Sequence, residues 1–158
     1  MTGIGLKKNK MKLVNATFTR PADTTPYTAG DVMGGLLTFG ADFATGRIES
    51  AVLVDSASET VKPDADLFLF DEIPAVAADN AAFAPTDVQL AHCVAVLSFL
   101  SQNFKTGATN GVIHVTPTAG LGTAFVTQGG KLYGVLVARN AYTPVSQEIF
   151  VVRLGLSA

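Results

Sequence analysis

Few residues in this chain have the chemistry of a catalyst. Nucleophilic catalysis needs a serine or cysteine activated by a nearby base, most often histidine. The chain has two histidines, His92 and His114, and one cysteine, Cys93. His92 and Cys93 are adjacent, and neighbouring residues of a strand point to opposite faces. They therefore make no dyad if both lie in a strand. No G-x-S-x-G turn is present to expose a serine. His114, in GVIHVT, reads as a sheet histidine satisfied by its surroundings. No catalytic residue is assigned.

Metal sites call for clustered ligands at set spacings. Asp64, Asp66, Asp71 and Glu72 flank one short apolar stretch. They lack the calcium-loop pattern and read as solvated acids at strand ends, which discourage edge pairing. Glycoside hydrolysis needs only two carboxylates, but nothing selects one pair among thirteen acids. Gly120-Leu121-Gly122 begins like a nucleotide-binding glycine loop. Its third glycine position is Phe125 and no βαβ pattern follows, so it reads as a plain loop. No metal and no cofactor is expected. Tyr27, Tyr133 and Tyr142 are the only aromatics besides phenylalanine, and none is singled out as a sugar platform.

The elements that hold these residues are mostly strands. MKLVNATFT at 11–19 alternates and is rich in β-formers. Residues 31–39 form a second strand weakened by Gly34 and Gly35. In RIESAVLVDS, at 47–56, Ile48, Ser50, Val52 and Val54 share one face, and Glu49, Ala51, Leu53 and Asp55 the other. DLFLF at 66–70 is a compact strand, followed by a loop rich in Ala, Asp and Asn. Thr86-Asp87 can cap a short helix over 87–92. CVAVLSFL is a strand by its β-branched content, although periodicity alone leaves helix open. Asn110-Gly111 predicts a type I′ hairpin turn. Gly129-Gly130 predicts a second hairpin, and Gln147–Leu156 the last strand. About eight or nine strands with one short helix read as a single-domain β-sandwich, jelly-roll-like, over 11–158.

Residues 1–10 read as a flexible basic arm. Four of the eleven positive charges, Lys7, Lys8, Lys10 and Lys12, fall in the first twelve residues. The remainder is mildly acidic and the net charge is −2, which argues against direct nucleic-acid binding. A single cysteine excludes an intrachain disulfide and fits assembly in a cytoplasm. No apolar run approaches the roughly 18 residues of a membrane span, so no membrane partner is expected.

Charged residues are 15% of the chain, against about 25% in an average soluble domain. Two strands are apolar on both faces: Leu67 and Leu69 oppose Phe68 and Phe70, and Leu132, Leu136 and Ala138 oppose Tyr133, Val135 and Val137. A two-sheet sandwich covers one face of each sheet, so the helix, long loops, a sister subunit or a partner must cover the rest. Lys7, Lys8, Lys10, Lys12, Phe68, Phe70 and Tyr133 are the candidate partner-binding residues.

Three stretches, ATFTRPADTTPYTAGDV at 16–32, DLFLFDEIPAVAADNAAFAPTD at 66–87 and LYGVLVARNAYTPVSQEIFVVRL at 132–154, resemble a family of small structural proteins of tailed bacteriophages. The resemblance implies a virion subunit without catalytic residues. It is similar to capsid cement or decoration proteins, with the major capsid protein and sister copies (a dimer or trimer) as partners and the capsid surface as its place. A tail or neck component is the alternative within that family. A carbohydrate-binding β-sandwich module is the alternative outside it.

Overall fold

The computed structural model describes residues 10–58, 61–76, 78–116 and 123–158. Lys7, Lys8 and Gly120-Leu121-Gly122 lie outside them. The described residues form ten strands: β1 (Met11–Thr19), β2 (Val32–Gly40), β3 (Thr45–Asp55), β4 (Ala65–Phe70), β5 (Cys93–Phe99), β6 (Lys105–Thr106), β7 (Gly111–Val115), β8 (Thr123–Val126), β9 (Lys131–Ala138) and β10 (Ile149–Ser157). One helical turn, α1 (Asp87–Leu90), is closed by a capping box: Thr86 accepts from the Gln89 N–H, and the Gln89 side chain accepts from the Thr86 N–H.

The pairings nest. β1 pairs with β10, β2 with β9, β3 with β7 and β4 with β5, all antiparallel. A long ribbon with these rungs, wound on itself, makes two sheets. One runs β1-β10-β3-β7-β6, with β8 beside the start of β3; the other runs β2-β9-β4-β5. This is a β-sandwich with jelly-roll winding. Its main core lies between the sheets, with Phe39, Phe99, Phe150, Leu53, Leu67 and Leu154 all buried.

Register shifts redirect side chains in β2, in β3 and, opposite Leu69 and Phe70, in β5. In β2 the register shifts between Met33 and Leu36. Gly34 and Gly35 there have φ of 81° and 92°, a region that side chains rarely adopt. A Cβ on Gly34 would also stand 2.3 Å from the Phe18 ring. In β3 the partner register steps from Gly155↔Ser50 to Leu156↔Ile48, which leaves Glu49 unpaired. The extra residue flips the alternation. Ile48 is therefore buried on the same side as Ala51, Leu53 and Asp55, which corrects the face assignment made from strict alternation.

The turns divide similarly. Gly129 and Gly130 both have positive φ, with Gln128 bridged to Lys131. The strands on either side enter different sheets, so this is a corner rather than a paired hairpin. Asn110-Gly111 does not form the type I′ turn, because neither residue has positive φ. The turn is instead Gly107–Asn110, closed by Gly107 N–H donating to the Asn110 carbonyl at 2.8 Å, and Gly111 is already in β7.

The second apolar face of β4 and β9 is covered by the chain's own segment between β4 and β5. Its Ala81 carbonyl accepts from the Val32 N–H, and the Asn80 N–H donates to the Val32 carbonyl. This lays Phe83 over Phe68 and Phe70, with ring centroids 5.1 and 6.5 Å apart. Val32, Phe70, Val135 and Val137 form a second buried cluster beneath it.

Candidate assembly surface

Of the expected contact residues, Phe70 is fully buried and Phe68 is half-buried under Phe83. A long loop rather than a partner covers them, which corrects their assignment as docking residues. Lys10 is exposed at the start of β1. Lys12 is half-buried and paired with Asp42 across the sandwich. Tyr133 is half-buried at the rim of a shallow cleft of about 300 Å³ that Asp71, Glu72, Ile73 and Gln128 also line.

Beside that cleft, His92 lines a neighbouring pocket with Glu72 and Ile73 and reaches both of these acids. His92 Nδ1 lies 3.0 Å from Asp71 Oδ1 and its Nε2 lies 3.5 Å from Glu72 Oε2. Gln128 donates to Glu72. Among the described residues no hydroxyl or thiol is bonded to His92; the Cys93 thiol turns away to the Ala95 carbonyl. Burial pushes the Cys93 thiol above its usual range, the opposite of what a thiolate nucleophile needs. Among the described residues no group of three or more His, Cys, Asp or Glu could hold a metal ion. Asp64 bonds Asn140 and the Ser101 N–H, while Asp66 holds Arg139 and Ser98. These acids fasten loops.

A network of buried polar groups was not foreseen. At one end of the sandwich Lys62 donates to Asp55 at 2.8 Å and to the Ala57 carbonyl at 2.6 Å. Glu148 accepts from the Tyr142 hydroxyl and from the Val145 N–H. Asp55, Lys62 and Glu148 are all buried. Burial and a hydrogen bond to Asp55 push the Glu148 carboxyl up to about 8. Tyr142 is bridged to Tyr27, whose hydroxyl donates to Asp79 at 2.6 Å. Buried Arg20 pairs with Asp79 and Asp23 and stacks on the Tyr27 ring at 4.6 Å. The network ties the covering segment, the β3–β4 loop and the entry to β10 together. One signal for it was present in the sequence: alternation already placed Asp55 on the same face as Ala51 and Leu53.

The outer face of the β1-β10-β3-β7 sheet differs from that of its partner sheet. Thr17, Val151, Val54 and Val112 form one row across it, and Asn15, Arg153, Val52 and His114 the next. Among the described residues, no second cluster of buried apolar side chains forms there. Its first strand exposes Met11 and Leu13 at 68% and 67%.

No family model matches the chain, and no curated protein matches it. Several solved structures are similar to it, and two serve as examples. One is a carbohydrate-binding module from the family 9 glycoside hydrolase Cel9A of Ruminococcus flavefaciens FD-1, at 11% identity and a TM-score of 0.43, covering 90% of this chain and 98% of that one. The other is the decameric BFDV capsid protein, at 11% identity and a TM-score of 0.31, covering 95% of this chain and 98% of that one. At such identity neither says what this chain binds or builds.

Proposed function

We propose that the chain is a non-enzymatic structural subunit of a tailed-bacteriophage virion, a cement or decoration protein that seats on the shell of major capsid protein. The observation that carries this reading is the asymmetry of the two sheets. One has its outer face closed by the chain's own 71–92 segment. The other leaves a broad face whose two central rows carry Arg153, bonded to Asn15, His114 and, at the β6 end, Lys105 as their titratable groups. A subunit that docks on a shell needs one finished face toward solvent and one left for the partner. Met11 and Leu13 stand exposed along the first strand of that face. The basic segment that precedes β1 would extend the contact onto an acidic neighbour. Assembly would take place in the host cytoplasm.

The test is binding of the purified protein to shells of the major capsid protein, followed by a cryo-EM map. Density on the outer surface with the β1-β10-β3-β7 face toward the shell is expected. Absence of binding, or a handful of copies at the neck or tail, would overturn the cement reading. A sugar-binding role is the second reading, favoured by the Tyr133 cleft with its Gln128, Glu72 and Asp71 side chains. Glycan-array binding lost in Tyr133→Ala would support it.

A further inference from the structure

The free edge of β1 has the chemistry of a self-pairing strand. In an antiparallel ladder both backbone groups of a residue point to the same neighbour, and the direction alternates along the strand. At one end the Ala158 N–H donates to the Lys10 carbonyl; at the other the Arg20 N–H donates to the Glu148 carbonyl. Both pairs follow the continuous register of β1 with β10. The even-numbered residues of β1 therefore face β10. The N–H and C=O groups of Met11, Leu13, Asn15, Thr17 and Thr19 face away from it. None of these groups has a backbone partner among the described residues, and all five residues are exposed.

Natural edge strands are guarded by short length, proline, bulges or charge. β2 carries the Gly34-Gly35 bulge, and two-residue β6 begins with Lys105. β1 has nine residues in unbroken register, and residues 13–19 contain no charge and no proline.

We propose that β1 pairs antiparallel with β1 of a second copy of this chain, joining two β1-β10-β3-β7 sheets across a twofold axis. A twofold perpendicular to the sheet sets odd residues against odd residues, so the outward groups of one edge meet those of the other. Pairing centred on Asn15 places Leu13 opposite Thr17 and opposes no like charges between residues 13 and 19. It also carries each copy's exposed Lys10 to the other's Arg20 corner, where Asp23 and Asp79 outnumber the arginine. One shared edge buries less than the roughly 1,600 Å² of a standard interface, so the dimer depends on concentration. The proposal does not rest on the virion reading, because it concerns the purified chain alone.

Sedimentation equilibrium of the full chain over a wide concentration range tests it. A monomer–dimer equilibrium is expected, weakened at least tenfold by Leu13→Lys and by Thr17→Pro. Neither change touches the β1–β10 hydrogen bonds, since Thr17 N–H faces the open edge. Circular dichroism checks that each variant keeps its fold, and Leu13→Lys carries the test if the proline does not. A chain monomeric at every concentration overturns the proposal, as does a dimer or trimer that folded Leu13→Lys leaves unchanged.

Discussion

Replacing Glu148 by glutamine is expected to remove most of the pH dependence of stability between about pH 5 and 8. The Glu148 carboxyl titrates at about 8 in the folded chain, against an ordinary 4.5. Its folded value is raised, so the folded chain holds a proton that the unfolded chain releases across this interval. The stability it contributes is fully present below pH 4.5 and is lost as pH rises through about 8. At 1.36 kcal/mol per pKa unit, the loss is at most on the order of 5 kcal/mol, since Asp55 shares the titration. For a domain of this size that is about 10–20 °C in melting temperature. Glutamine reproduces the protonated state. Its carbonyl can accept from the Val145 N–H and its amide can donate to Asp55, while the Tyr142 hydroxyl turns from donor to acceptor. Thermal melts from pH 4.5 to 9 should fall steeply for the wild type and stay nearly flat for E148Q. Calorimetry near pH 6.5 should show about one proton released on unfolding of the wild type and none for E148Q from this site. Parallel pH profiles for the two proteins would refute the argument.

Lys62→Met leaves the buried Asp55 carboxylate without its cation and is expected to destabilise by about 3 kcal/mol in denaturant titration. Phe83→Ala uncovers Phe68 and Phe70; a loss of about 2 kcal/mol with increased binding of a hydrophobic dye is expected, and no increase would mean that the covering segment stays closed without its anchor. Asn80 has φ of 60° and a buried side-chain oxygen without a partner among the described residues. Asn80→Gly should therefore be more stable than Asn80→Ala by about 1 kcal/mol, measured by equilibrium unfolding.

Much of the framework was legible because it rests on local pattern. MKLVNATFT alternates and becomes β1 over the same nine residues. The two-faced composition of DLFLF and of 132–138 required cover on both sides, and both sides are covered. The β-branched run at 93–99 became a strand. What local pattern cannot carry is an extra residue in one strand, since the frame shift at Glu49 is set by the partner at Gly155-Leu156. It also cannot carry encounters between distant groups. Asp55 and Glu148 meet because β3 and β10 are neighbours in the sheet, and Arg20 meets Asp79 because the 71–92 segment folds back over β2. Asn110-Gly111 misled because Gly111 is taken into β7, paired with Thr106 and Asp55, so the turn falls before it. The fate of Phe68 and Phe70 likewise depended on where a loop came to rest.

The nested pairing has a consequence for synthesis. β4 and β5 are the innermost rung and can meet while the chain is still short. Each outer rung closes a longer loop at greater entropic cost. β10 comes last and enters between β1 and β3, in the middle of its sheet. Until residues 149–157 leave the ribosome, β1 has no ladder at all, and its apolar residues have no fixed place. A nascent or truncated chain therefore presents no ordered β1 edge, and that edge forms only once β10 is in place.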